Sequence, residues 1–333
     1  MENYFFYLIS YVIIFFILLE ISKKLNLYDI PNKRKIHKNK IVNTGGVIIF
    51  IFYLIIIKNF EFNPILEDFI VLGFFILIVG FIDDRKNLNP SIKLILLSLP
   101  SAYLIISGNF IITNLGNYDL LGALLLGKVG IIFTFLSVIL LINSVNYLDG
   151  IDGLLLSFVA TTFGYFIFLT EDKNIHLLIY YLLVPILINF IFNMFSFGKN
   201  FKIFNGDSGS LFFGFLISFF LIYLNLFLEI HPIILAWGVW LPIYDFLFIT
   251  LYRLVKKKNI YKPDNNHLHH IILNKFKNNH LKSVVLISLI NIGVIFIGFI
   301  SSEISKDFSF FLFIILFLIY VILRTNKKIL GKS

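Results

Sequence analysis

Four polar residues spaced three apart, Asn143, Asn146, Asp149 and Asp152, punctuate the segment NSVNYLDGIDGL at 143–154. They follow an almost purely apolar run at 129–142, so a membrane-length helix is expected to end on two carboxylates, each with a glycine behind it. On a continuous helix this spacing lays amides and carboxylates along one slowly drifting stripe, a wall able to bind cations and hydrogen-bonding ligands. A glycine-capped helix end accounts for Gly150 or Gly153, but a cap does not put four polar groups in register, and function is the stronger reading.

Four other phrases have a similar character. In GFIDDRKNLNPSIK (80–93) the adjacent Asp83 and Asp84 repel each other, and either basic neighbours such as Arg85, Lys86 and Lys93 or a divalent cation must compensate. In FNGDSGSLFFG (204–214) small residues let backbone amides approach a ligand beside Asp207, although an ordinary interhelical turn has the same composition. PDNNHLHHIIL (263–273) carries His267, His269 and His270 after a lysine run. With no cysteine and a spacing of two and one, hydrogen bonding to phosphate or sugar oxygens suits these histidines better than zinc, and a solvated loop is the plain alternative. YDIPNKRKIHKNKIVNTGG (28–46) holds Arg34, His37 and four lysines around them, for which binding to an anionic lipid surface is the simpler account. Together the phrases supply carboxylates for a hard cation and basic groups for phosphate, an inventory that suits phosphoryl transfer at a membrane surface.

These groups need a frame, and composition dictates its class. Of 333 residues, 59% are hydrophobic and 14% charged, which places the chain among membrane proteins and excludes a soluble enzyme or nucleic-acid binder. Apolar runs predict an all-α, polytopic integral membrane protein with about 11 (10–11) spans at 4–21, 44–58, 69–82, 93–107, 129–146, 154–170, 175–193, 210–227, 233–251, 283–301 and 308–323. The first run has no basic region before it and no small-residue cleavage site after it, so it is expected to be retained. The stretch 108–128, broken by Gly and Asn, reads as an outer hairpin or a re-entrant piece. The whole chain, 1–333, reads as one transmembrane domain whose catalytic loops lie near 22–43, 83–93, 147–153, 194–209 and 252–282.

Charge then orients the frame. On alternating sides, 24 of the 28 lysines and arginines share the side holding those loops, leaving Lys58, Lys128, Lys173 and Lys306 opposite. The lysine-rich side is therefore expected to face the cytoplasm, with the N-terminus outside and the C-terminus inside. Asp83, Asp84, Asp149, Asp152, Asp207, Asp245 and Asp264 all fall on that side, and so would any chemistry.

As a set, and in this order from Tyr28 to Leu273, the phrases resemble the polyprenyl-phosphate N-acetylhexosamine-1-phosphate transferases, glycosyltransferase family 4. DIPNKRKIH, DDRKNL and HLHH look like the branch acting on undecaprenyl phosphate to start O-antigen, common antigen or teichoic acid; the peptidoglycan translocase branch would carry a three-histidine run. The resemblance implies transfer of a sugar-1-phosphate, most simply GlcNAc-1-phosphate, from a UDP-N-acetylhexosamine to undecaprenyl phosphate with release of UMP, using Mg²⁺ or Mn²⁺. It implies a bacterial inner-membrane enzyme among membrane lipids, with its site facing the cytoplasm, a homodimer among the possible assemblies and no nucleic-acid partner. Carried over residue by residue, Asp207 with Asp149 resembles the metal site, and Asp83, Asp84, Asp149 and Asp152 the catalytic carboxylates. Asn143, Asn146, Lys93, His37, Arg34, Arg253, His267, His269 and His270 fall among the substrate-binding groups. Val42 and Asn205 depart from the family's usual proline and methionine, and Asn265 from its arginine, without removing any of these groups. The rival outside this class is a secondary transporter, whose carboxylates belong near the bilayer midplane between repeated halves.

Overall fold

A computed structural model describes residues 2–31, 39–57, 64–108, 110–195, 201–258 and 266–326. Arg34 and His37 lie outside the described residues. The described chain is a helical bundle: α1 (Glu2–Lys24), α2 (Gly45–Ile57), α3 (Pro64–Lys86), α4 (Pro90–Gly108), α5 (Val129–Asn146), α6 (Leu154–Leu169), α7 (Lys173–Met194), α8 (Gly206–Phe227), α9 (Pro232–Trp237), α10 (Trp240–Val255), α11 (Leu268–Lys275), α12 (His280–Ile304) and α13 (Lys306–Thr325). Seven of these helices are long and apolar enough to cross a hydrocarbon core, and two shorter ones, α2 and α6, are also apolar. This is a polytopic, essentially all-α membrane protein.

The bundle is arranged around α8. Every residue from Ser208 to Phe220 is buried, as expected for a helix apolar on all sides. Its serines satisfy themselves within the helix: Ser210 Oγ donates to the Gly206 carbonyl at 3.0 Å and Ser218 Oγ to the Gly214 carbonyl at 2.7 Å. Small residues let neighbouring backbones come close, the usual means of helix association in lipid. A Cβ on Gly80 of α3 would stand 2.5 Å from the Asp207 carbonyl oxygen and the Ser208 Cα, so α3 and α8 touch at the height of the acidic residues. By contrast, the buried residues of α13 are the polar Asp307, Ser309 and Arg324; Phe313, Leu316 and Phe317 pack partly against the core, and Phe308, Ile314, Ile315, Leu318 and Ile322 face outward.

One expectation changes, one open alternative is decided, and a second small sheet is added. The span at 233–251 is broken into α9 and α10, because Pro242 has no N–H to give the Gly238 carbonyl; Thr162 Oγ1 donates to that oxygen instead, at 3.0 Å. The stretch 108–128 is a hairpin, with β3 (Asn114–Tyr118) antiparallel to β4 (Gly122–Leu125). A second small sheet, β1 (Tyr28–Asp29) with β2 (Ile41–Val42), brackets the basic loop.

Helix direction sorts the polar phrases to two ends. At one end, Asp307 of α13 accepts the backbone N–H groups of Asp119 and Leu120 in the hairpin, at 2.7 and 3.0 Å. At the other end the C-termini of α3 and α5 meet the N-termini of α4 and α8, and the acidic phrases come together there.

Candidate active site

The geometry centres on Lys93, in the first turn of α4. Its ammonium lies 2.7 Å from Asp83 Oδ2 and 2.9 Å from Asp207 Oδ2, joining α3, α4 and α8 through one cation. Asn146, the last residue of α5, donates to Asp207 Oδ1 at 2.9 Å and to Ser210 Oγ at 2.7 Å. Asp83 also receives the Leu88 N–H, which closes the turn between α3 and α4.

Asp84 has a different task. Its Oδ1 accepts the Asp207 N–H at 2.9 Å and the Asn43 amide at 3.0 Å, while Oδ2 accepts the Ser208 N–H at 3.2 Å. Asn205, at the N-cap of α8, makes no side-chain cap, so Asp84 supplies one from another helix. Gly206 enters α8 at φ +69°, and a Cβ there would sit 2.5 Å from Asp84 Oδ2 and 2.6 Å from Asn43 Oδ1.

The expected stripe along α5 is only half formed. The helix ends at Asn146 and residues 147–153 run through tight turns, with Leu148 and Asp149 bonding back to Val145 and Asn146, so Asp149 and Asp152 leave the helical register. Asn143 donates to its own helix at the Ile139 carbonyl, 2.8 Å away, rather than into the cluster. Asp152 pairs with Lys202 at 2.5 Å, and its N–H donates to His280 Nδ1 at 3.1 Å. Asp149 stays with the cluster: burial first, and the nearby Asp207 second, push its carboxyl well above the usual carboxylate range. The Asn205 amide leans toward Asp149 and opposes that rise without reaching hydrogen-bond geometry, so both its polar atoms are buried without a partner.

The histidine segment closes the other side. A Cβ on Gly150 would stand 2.3 Å from His269 Nε2 and 3.2 Å from His270 Nε2, so the two rings lie against the turn that carries Asp149. His269 is buried with neither ring nitrogen bonded, and burial pushes it well below the ordinary histidine value, leaving it neutral. His267 packs against Tyr147, ring centroids 5.1 Å apart, and Arg253 is buried on the last turn of α10.

Asp83, Asp84, Asp149 and Asp207 thus face one another with Lys93 as their ion-paired cation among the described residues. Even with Asp149 keeping its proton, three acids against one ammonium leave a surplus of negative charge, and hard oxygen donors of this kind fit Mg²⁺. No three described acidic or histidine groups form a closed metal cage. Mg²⁺ is commonly held by one or two carboxylates with substrate phosphates completing the shell, and Asp207 and Asp149 are the residues that could serve in that way.

One consequence is testable without ligands. Asp149 binds its proton more tightly folded than unfolded, so in chelator its contribution to stability is lost as pH rises above about 4, the unfolded carboxylate value, through the raised folded value. Thermal unfolding in detergent across pH, compared between the parent and Asp149→Asn, should show a difference in melting temperature that grows in favour of Asn as pH rises.

Sequence reasoning missed Lys202, His280, Asn43 and Asn193, which anchor the loops. Asn193 accepts the Gly153 N–H and donates to the Ile203 carbonyl at 2.8 Å. Asn43 lies within the basic segment 28–46 and was legible there; the others carry no local signal.

An apolar bundle whose carboxylates, amides and lysine converge at helix ends has the architecture of an integral membrane enzyme working at the bilayer surface. The chain belongs to glycosyl transferase family 4, whose model matches residues 68–225, from before Asp83 to beyond Asp207. It is 30% identical over 334 residues, 97% of this chain and 90% of the relative, to a probable undecaprenyl-phosphate N-acetylglucosaminyl 1-phosphate transferase of Bacillus subtilis (strain 168). It is 26% identical over 315 residues, 92% of this chain and 86% of the relative, to an undecaprenyl-phosphate alpha-N-acetylglucosaminyl 1-phosphate transferase of Yersinia pestis. A protein of the same name from Escherichia coli (strain K12) is 26% identical over 261 residues, 76% of this chain and 71% of its own.

Proposed function

We propose that this protein transfers N-acetylglucosamine 1-phosphate from UDP-N-acetylglucosamine to undecaprenyl phosphate at the cytoplasmic face of a bacterial inner membrane, beginning a cell-envelope polysaccharide. The names of the relatives support the acceptor and the sugar phosphate. The lysine asymmetry supports the orientation, N-terminus outside. The observation that carries the reading is Lys93 bridging Asp83 and Asp207 at the mouth of an apolar bundle, a place where a phosphate on a lipid and a soluble diphosphate can meet. A transporter would hold such groups midway along its helices, and here they lie at helix ends.

In the reaction an oxygen of the lipid phosphate attacks the β-phosphorus of the donor. The new P–O bond forms as the bond to the bridging oxygen breaks, and UMP leaves with that oxygen. A phosphomonoester with a second pKa near 6 is roughly 90% dianionic at pH 7, so a general base gains little. Lys93 draws the attacking phosphate toward Asp83, Asp84 holds the amide end of α8 rigid, and Asn146 fixes the Asp207 carboxylate. Asp207 and Asp149 would hold Mg²⁺, which when bound offsets charge on the donor pyrophosphate. His269 and His270 lie against the Asp149 turn, where they would contact the donor.

Purified protein in detergent with undecaprenyl phosphate, Mg²⁺ and a panel of UDP-sugars should release UMP with UDP-N-acetylglucosamine, only when the lipid is present, and not as Asp207→Asn. Release from the mutant at the parent rate would remove Asp207 from the site, and silence across the panel from folded protein would remove the reaction.

A further inference from the structure

Away from the carboxylate cluster, one buried acid is saturated with donors. Asp245 on α10 accepts His267 Nδ1 at 2.6 Å on Oδ2, and on Oδ1 it accepts the Leu268 N–H at 3.0 Å, Tyr320 Oη at 2.7 Å and Arg324 Nη1 at 2.6 Å. Arg324, near the end of α13, donates also to Tyr320 Oη and, through Nη2, to the Asn266 carbonyl, and its guanidinium lies 4.6 Å over the Phe248 ring. Asp245, Arg324 and His267 are each more than nine-tenths buried.

Bundle stability alone does not require this arrangement. Buried ion pairs carry a large desolvation penalty, and apolar side chains of similar volume commonly serve as well. What sets it apart is its target. Its contacts outside α10 and α13 fall on three consecutive residues, the Asn266 carbonyl, the His267 ring and the Leu268 N–H, immediately before His269 and His270. The helix they open, α11, has eight residues, too few to hold its shape alone. Holding Nδ1 of His267 against Asp245 also fixes the ring and directs Nε2 away from the acid.

We propose that Arg324 is a positioning residue, acting through Asp245 to set the histidine segment 267–270, so that the last helix belongs to the donor half of the site. The assignment of that half to the donor rests on the proposed function; the positioning itself does not. The test uses the whole 333-residue chain, which has no cysteine, carrying Asn274→Cys on the exposed face of α11 with a nitroxide label, a change expected to leave transfer intact.

In Arg324→Met the spectrum should sharpen as α11 loosens, and the KM for the UDP-sugar should rise roughly 10- to 100-fold, as for outer partners of ligating histidines, with the lipid KM unchanged within about twofold. Arg324→Lys should recover part of both, because it restores the charge without the second donor to Asn266. An unchanged spectrum in folded Arg324→Met, or equal losses for donor and lipid with a lowered melting temperature, would overturn the proposal. A spectrum that responds in protein that transfers nothing from any donor would leave the positioning established and refute the functional reading.

Discussion

Lys93→Met should lower kcat/KM by about 100- to 1,000-fold, the loss that follows removal of one preorganised donor from a charged transition state. The reason is electrostatic. Lys93 is the cation held by both Asp83 and Asp207, and without it two carboxylates from different helices face each other with water and the donor's own counter-ions as their relief. Stability should fall as well, by about 3 kcal/mol, at the low end for a broken buried pair because the Asp207 side chain is 36% exposed. Lys93→Arg is the informative partner: it keeps the charge and should hold the fold, yet a planar fork cannot sit at 2.7–2.9 Å from two carboxylates on different helices as a compact ammonium does, so its kcat should remain depressed. Steady-state kinetics beside melting curves in detergent separate the two effects. A Lys93→Met protein that melts like the parent and transfers at the parent rate would contradict the central role of this lysine.

Gly150→Ala should be nearly as damaging through packing alone. The new methyl would lie 2.3 Å from His269 Nε2 and 3.0 Å from its Cδ2, and His269 is buried, so the ring cannot swing into open space. Overpacking of this sort costs about 1–3 kcal/mol. The larger effect is on the reaction, because a shift near 1 Å between the histidine rings and the Asp149 turn can lower the rate about 100-fold. Gly164→Ala, where nothing lies within 4 Å of the added carbon, is the control and should leave both rate and stability unchanged. Equal behaviour of the two alanine variants would show that the contact between the histidines and the turn has no part in catalysis.

Much of the site was legible because its signals are local. Asp207 sits where small residues open a helix, Lys93 lies in the first turn of a proline-started helix just after an aspartate pair, and the amide of Asn146 ends an apolar run; each is a statement about one stretch of chain, and the fold brings all of them together. The frame was legible for the same reason, since runs of about 20 apolar residues have few fates in a membrane. Readings that assumed one element continued past its end did less well. The span itself was read to end at 146, as it does, but the polar stripe assumed a helix continuing to Asp152; the chain turns after Asn146, and Asp152 is drawn off to Lys202, fifty residues away. Asn143, in register by spacing, bonds to its own helix because the i−4 carbonyl is the nearer acceptor. The Asp245 cluster was invisible because its members are far apart along the chain, 79 residues in the case of Arg324, and only packing of α13 on α10 makes them neighbours.

The most direct test of the proposed reaction follows the β-phosphorus itself. UDP-N-acetylglucosamine labelled with ³²P at the β-position is incubated with the purified protein, undecaprenyl phosphate and Mg²⁺, and the lipid and aqueous phases are counted. The label should enter the lipid phase with the sugar while unlabelled UMP appears in water, and Asp207→Asn should move neither. Label left in water as UDP, with sugar alone reaching the lipid, would mean that the bond to the sugar is broken instead, and would contradict transfer of the sugar phosphate.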